Sequence, residues 1–87
     1  MDIPSEGLKC RVTVVLKKSV FDPQGSAIER SLQTLGVNSI ESVRQGKIFE
    51  ITLRSHMTRE DADTQIKQIA KDVLSNPVIE AFHIEFI

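Results

Sequence analysis

The chain contains few residues that could act as a nucleophile, an acid or a base. Its single cysteine, Cys10, and its two histidines, His56 and His83, are the residue types that cysteine-based amide hydrolysis needs. Cys10 falls at a position predicted to face the core, where burial keeps a thiol protonated and inert. Neither histidine belongs to a recognisable nucleophile motif. We therefore interpret Cys10 as a structural thiol and predict no catalytic residue in this chain.

The charged clusters are typical of structural positions. Glu60, Asp61 and Asp63 fall in the first turn of a predicted helix, where carboxylates stabilise the helix dipole. Gly46-Lys47 lacks the earlier glycine and the following hydroxyl of a phosphate-binding loop. One cysteine is also too few for a structural zinc site, which needs several clustered ligands. We predict that the chain itself binds no metal, ATP or other cofactor.

The composition is that of one small globular domain. Among 87 residues, 40% are hydrophobic and 26% are charged, and no stretch approaches the ~20 apolar residues of a membrane-spanning helix. The first residues lack the basic start of a signal peptide, so we expect a cytoplasmic protein without membrane contact. Eleven basic and twelve acidic residues are interspersed, and Tyr and Trp are absent. This pattern argues against binding of nucleic acid.

The first half of the chain predicts one strand followed by one helix. Residues 9–16 alternate between apolar and polar side chains, as in a half-buried strand. Asp22 suits a helix N-cap and Pro23 the first helical position. Apolar residues then recur at helical spacing up to Gly36, where a left-handed cap is expected. These apolar residues are Ala27, Ile28, Leu32 and Leu35.

The second half predicts two strands, a helix and a final strand. Residues 39–44 form a weak strand pattern and residues 47–54 a clear one, which predicts a hairpin that turns at Gly46. Thr58, three residues before an aspartate, begins a helix predicted over 58–75. Asn76-Pro77 ends that helix because proline favours an extended residue before it. The final strand is indicated by the alternating Phe82, Ile84 and Phe86.

The element order is therefore β-α-β-β-α-β, which is typical of a split βαβ fold in the α+β class. We expect an antiparallel sheet with two helices on one face, formed by residues 9–87 after a flexible extension over residues 1–8. The other face of the sheet keeps several apolar residues, and such a surface is usually buried by a second copy. The candidates for this oligomer interface are Val15, Ile48, Ile79, Ala81 and Ile87.

The segment between the first strand and the first helix makes an unusual demand on the backbone. Glycine in the first turn of a helix is unfavourable by about 0.5–1 kcal/mol relative to alanine. Its presence as Gly25 predicts that another group approaches the backbone there. This segment and two others together resemble the PurS family. The three segments are Asp22-Pro23-Gln24-Gly25, Val43-Arg44-Gln45-Gly46-Lys47 and Asn76-Pro77-Val78-Ile79-Glu80.

The resemblance covers residues 9–86 and implies a role within a larger enzyme. PurS is the small subunit of phosphoribosylformylglycinamidine synthase in purine biosynthesis. In this family's enzyme a glutaminase subunit, PurQ, releases ammonia, and a large synthetase subunit, PurL, uses ATP and Mg to activate the acceptor amide. The small subunit joins the other two and supports ammonia transfer, and family members form homodimers or homotetramers. The resemblance thus implies that its motifs are partner-binding candidates rather than catalysts.

The partner-binding candidates fall into three groups: Asp22, Pro23, Gln24 and Gly25; Arg44, Gly46 and Lys47; and Asn76 and Pro77. We hypothesise that Gly25 and the first-turn amides dock the large subunit, while Arg44 or Lys47 meets an acidic surface. The alternative function is a regulatory module that binds a small metabolite, because paired split βαβ domains often do so. Topology alone does not separate the two functions.

Overall fold

A computed structural model describes residues 7–54 and 56–87 of the chain. Three strands form one antiparallel sheet: β1 (Lys9–Leu16), β2 (Gly46–Thr52) and β3 (Glu80–Phe86). The first strand lies in the centre, in the order β2-β1-β3. Its residue Val12 is paired with Phe49 on β2 and with Ile84 on β3, so that apolar positions of all three strands share one face.

The core lies between this face and the second helix, α2 (Arg59–Ile69), which continues as a π-helical turn over Ala70–Leu74. Ile66 of α2 is fully buried and packs against Cys10, Val12 and Val14 of β1. Thr58 caps α2 by accepting a hydrogen bond from the backbone N–H of Asp61 at 3.1 Å. The first and last predicted strands, the second helix and its cap are therefore confirmed.

The first helix, α1 (Pro23–Thr34), does not complete this core. Of its residues only Gly25 is buried. After Gly36, which has the left-handed φ of 84° expected at a helix end, the chain returns along α1 through residues 37–45. We call α1 and residues 37–45 the arm. The molecule measures 53 × 33 × 15 Å with a radius of gyration of 17.5 Å, against about 12 Å for a compact chain of this length. The arm thus projects from the sheet.

The α+β fold class is confirmed, because the structure has an antiparallel sheet and two helices. The expected packing of both helices on one face of the sheet is not observed in the single chain, where α2 packs on the sheet and α1 does not. The prediction of a strand over residues 39–44, joined to the next strand by a hairpin at Gly46, is wrong for the single chain. Gly46 is instead the first residue of β2 and lies opposite Val15. The physical reason is that carboxylates of the chain, rather than a neighbouring strand, accept the backbone N–H groups of Val43 and Gln45.

The outer face of the sheet is open, as the sequence predicts. Val15 is 39% exposed and Ile48 is 62% exposed, and an ion pair of 2.9 Å joins Arg11 to Glu50 on this face. Of the extension predicted over residues 1–8, residues 1–6 lie outside the described part. The carbonyl of Leu8 already accepts a hydrogen bond from the N–H of Leu53. In the part that the structure describes, no helix has the length and apolarity to cross a membrane.

Replacing Ile66 with alanine is expected to lower the free energy of unfolding by about 2–5 kcal/mol, because a fully buried side chain would leave a cavity. Val73→Ala, at a position on the following helical turn that is 73% exposed, should change it by less than about 0.5 kcal/mol. Urea denaturation at one fixed protein concentration measures both effects. Equal effects of the two substitutions would contradict this placement of the core.

Candidate functional site at the end of the sheet

The carboxylate of Asp22 connects the beginning of α1 to the beginning of β2. Its Oδ1 accepts hydrogen bonds from the N–H groups of Gln24 at 3.1 Å and Gly25 at 3.0 Å, which caps the helix. Its Oδ2 accepts a hydrogen bond from the N–H of Gln45 at 2.7 Å. Asp22 is only 5% exposed. One buried side chain therefore fixes the angle at which the arm leaves the sheet.

The close approach predicted at Gly25 is confirmed, and the approaching group belongs to the same chain. A Cβ atom at this position would lie 2.1 Å from the carbonyl oxygen of Val43, which is too close for any side chain. The N–H of Val43 donates to the carboxylate of Glu29 at 2.7 Å, which holds the return segment against α1. The docking role hypothesised for Gly25 and the first-turn amides stays a prediction, and the structure gives these groups an internal role.

Arg44 closes the loop that follows β1. Its guanidinium donates to the carbonyl oxygens of Lys17 and Val20, each at 2.9 Å. The N–H of Lys17 donates to the carbonyl of Ile79 at 2.8 Å, which joins this loop to the turn before β3. In that turn, the N–H of Asn76 donates to the carboxylate of Glu80 at 2.7 Å. All three sequence motifs therefore meet at one end of the sheet.

A groove of about 390 Å³ opens between these motifs, and we call it the sheet-end groove. Its floor includes the apolar side chains of Val14 and Leu16, and Gln45 donates to Gln24 across its wall at 2.7 Å. Its other lining residues are Asp22, Pro23, Gly46, Lys47 and Glu80. An apolar floor between a lysine and a glutamate can accept an amphipathic group, with apolar atoms on the floor and polar atoms beside the two charges.

The structure does not bring the predicted chemistry-bearing residues together. Cys10 is fully buried on β1, and this burial raises the pKa of its thiol, which opposes thiolate formation. Within residues 7–54 and 56–87, no three side chains of the His, Cys, Asp and Glu types are placed to hold a metal ion.

The residues predicted to form the oligomer interface lie in more than one part of the fold. Val15, Ile48 and Ala81 share the outer face, because Val15 is paired with Ala81 and Ile48 with the neighbouring Thr13. Ile79 lies in the turn before β3, and Ile87 follows that strand. Sequence reasoning missed Glu29 and Lys17 as contributors to the site. Their bonds to Val43 and Ile79 join residues far apart along the chain, and no local pattern marks them.

The electrostatics of the site keep Asp22 ionised. The backbone N–H groups of Gly25 and Gln45 lower the pKa of this carboxyl below its ordinary value of 3.8, and the charge of Arg44 and the N–H of Gln24 add to this effect. Burial raises the pKa of this carboxyl, with an effect smaller than that of the Gly25 and Gln45 N–H groups but larger than that of Arg44. The backbone N–H groups that Asp22 holds in place therefore also stabilise its negative charge.

Stability is expected to depend on pH through Asp22. A carboxyl whose pKa is lower in the folded state stabilises the fold above its unfolded pKa, and this contribution is lost as the pH falls toward the lower folded value. Asp22→Asn keeps a capping oxygen but loses the acceptor for Gln45 or Gly25. The difference in unfolding free energy between wild type and Asp22→Asn should therefore be largest near neutral pH and shrink below pH ~4.

Chemical denaturation at neutral and at acidic pH measures this difference. Asp61→Asn, which removes an exposed carboxylate from the first turn of α2, controls for the loss of a charge and should destabilise the protein less at neutral pH. A stability difference between wild type and Asp22→Asn that stays constant from neutral to acidic pH would contradict a role for the ionised carboxylate.

Comparison with known proteins assigns the chain to a family. Residues 9–87 match the family PurS, described as phosphoribosylformylglycinamidine (FGAM) synthase. The PurS subunit of this synthase from Bacillus subtilis is 39% identical over 77 residues, which cover 88% of this chain and 89% of the relative. The PurS subunit from a Synechocystis species is 37% identical over 81 residues, with 93% and 80% covered.

Solved structures agree with this assignment. The crystal structure of Methanocaldococcus jannaschii PurS, with 31% identity, matches with a TM-score of 0.81 over 92% of this chain and 95% of that chain. A chain in the structure of PurLQS from Thermotoga maritima, with 26% identity, matches with a TM-score of 0.82 over 92% and 96%. The chain belongs to the PurS family, the small-subunit family of phosphoribosylformylglycinamidine synthase.

Proposed function

We propose that this chain is a non-catalytic assembly subunit that couples the glutaminase to the synthetase in phosphoribosylformylglycinamidine synthase. The observation that carries the proposal is the meeting of all three family motifs at one rigid end of the sheet, around a groove whose lining, among the described residues, includes no cysteine or histidine. The related structure from Thermotoga maritima is that of PurLQS. The Methanocaldococcus jannaschii protein is described as a subunit of formylglycinamide ribonucleotide amidotransferase in the purine biosynthetic pathway.

In this function the chemistry takes place on the other subunits, in the cytoplasm. The glutaminase PurQ releases ammonia from glutamine, and the synthetase PurL uses ATP and Mg to activate the amide oxygen of its substrate, so that ammonia displaces phosphate. Ammonia must reach the second site without escape into solvent. The contribution of this chain is to hold the two subunits in a fixed relation. None of these PurS relatives is named as a metabolite-binding regulatory module, the alternative considered from the sequence.

Glutamine-dependent synthesis of formylglycinamidine ribonucleotide by the matching PurL and PurQ subunits is expected to require this chain. Synthesis with added ammonia should proceed without it, because free ammonia bypasses the coupling step. Steady-state assays with each nitrogen source, with and without the chain, measure both rates. Ammonia serves as the internal control for an active synthetase. If neither rate responds to the chain, the proposed function is wrong.

We further propose that two copies of the chain associate through their arms. The arm exposes Ile28, Leu35 and Ile40, with Leu35 78% exposed, and none of the three packs in or against the core cluster. Each chain also leaves one end of its core face open at the sheet-end groove. Since every copy carries both an uncovered helix and an uncovered groove, reciprocal packing around a twofold axis buries both surfaces.

Leu35→Lys combined with Ile40→Lys is expected to shift the protein to monomer, because two lysines would be buried without partners. Lysine at the end of α1 is compatible with the helix dipole, so the helix should remain folded. Light scattering after size-exclusion chromatography measures the mass. Val73→Lys, at a position of similar exposure outside the arm, is the matched control. Dissociation by Ile48→Lys instead would place the interface on the outer face.

A further inference from the structure

Two exposed apolar residues lie at the same end of the molecule as the groove, on backbone segments that touch each other. Phe21, in the loop after β1, is 71% exposed, and Val78, in the turn before β3, is 77% exposed. The hydrogen bond from the N–H of Lys17 to the carbonyl of Ile79 joins the two segments. We call residues 17–21 and 76–79 together the tip. Neither apolar residue contributes to the core.

Hydrogen bonds hold both segments of the tip, although the tip is made of turns. In its first segment, the N–H of Val20 donates to the carbonyl of Lys17 at 2.9 Å, and the carbonyls of both residues accept hydrogen bonds from Arg44. In its second segment, Asn76 accepts a hydrogen bond at Oδ1 from the N–H of Val78 at 3.1 Å. Apolar side chains on a backbone that is already ordered lose little conformational entropy when they are buried by a partner.

The charge around the tip is positive. Lys17 and Lys18 are exposed, and within the described residues neither ammonium group makes an ion pair. The acidic groups nearest along the chain are already engaged: Asp22 is buried and accepts three N–H bonds, and Glu80 accepts the N–H of Asn76. A surface that presents exposed apolar side chains and lysines without ion pairs is complementary to an apolar pocket with an acidic rim.

We infer that the tip is a docking surface for another subunit of the synthase, in which Phe21 and Val78 enter an apolar pocket and Lys17 and Lys18 face an acidic rim. The inference rests on the proposed function, and it assigns the contact to residues outside the groove. A protein partner is favoured because the formal net charge of −1 and a single exposed aromatic in the tip are poorly suited to a nucleic-acid backbone.

The experiment measures binding of the full chain to the matching PurL and PurQ subunits, each immobilised in turn. Phe21→Ser and Val78→Ser should each raise the Kd for one of these subunits about 10- to 100-fold, as expected for apolar anchors in a pocket. Lys17→Glu with Lys18→Glu should slow association and reduce its dependence on salt. The controls lie on the exposed helical turn: Val73→Ser makes the same change as Val78→Ser, and Lys71→Glu reverses one charge where the tip variant reverses two.

Circular dichroism and the mass in solution should be unchanged in every variant, since the substituted side chains are exposed. If wild-type chain binds and supports glutamine-dependent synthesis while the tip variants bind equally well, the inference is wrong and the proposed function stands. An equal loss of binding in Val73→Ser would also overturn it. Failure of the wild-type chain to bind either subunit would contradict both the inference about the tip and the proposed function. Binding to phosphatidylserine vesicles that the tip substitutions abolish, with subunit binding intact, would assign the tip to membranes instead.

Discussion

The carboxylate of Asp22 is the group on which the geometry of the functional end depends. It accepts three backbone N–H groups, two at the beginning of α1 and one at Gln45, immediately before β2. A carboxylate is suited to this role because its two oxygens can accept hydrogen bonds from different segments. A buried N–H group without an acceptor costs about 1–3 kcal/mol, so no neutral apolar residue could replace Asp22 in this position.

The same interaction explains why the single chain is extended and why part of its core face is uncovered. Asp22 and Gly25 hold the start of α1 against residues 43–45, and this contact directs the helix away from the sheet. The helix cannot turn back over the sheet-end groove without breaking these bonds. Among the described residues, α2 and its π-helical turn cover the core face, and one end of that face stays open at the sheet-end groove. A chain of this length has little apolar surface to bury by itself, and the proposed association of two copies would bury more of it.

The periodic spacing of apolar residues explains which elements could be predicted from the sequence. The alternation in β1 and β3 and the helical spacing in α2 identified those elements, and the cap residues Asp22 and Thr58 marked both helix starts. The strand predicted over residues 39–44 failed because that segment is held by carboxylates that are distant along the chain. A strand pattern indicates an extended backbone, and it does not identify the acceptor of its N–H groups. Gly25 revealed a close approach, but not that the approaching group was Val43.

The concentration of side-chain hydrogen bonds at one end of the sheet bears on the proposed assembly role. Most of these bonds involve a charged group, and such a bond contributes about 1.5–3 kcal/mol to stability. They also fix the geometry, because Asp22, Glu29 and Arg44 each tie together backbone segments that would otherwise move independently. A subunit that aligns two other proteins must keep its contact surfaces in fixed relative positions when both partners are bound. Turns that are fixed by these hydrogen bonds meet that requirement, whereas a larger apolar core would stabilise the chain without fixing its surface.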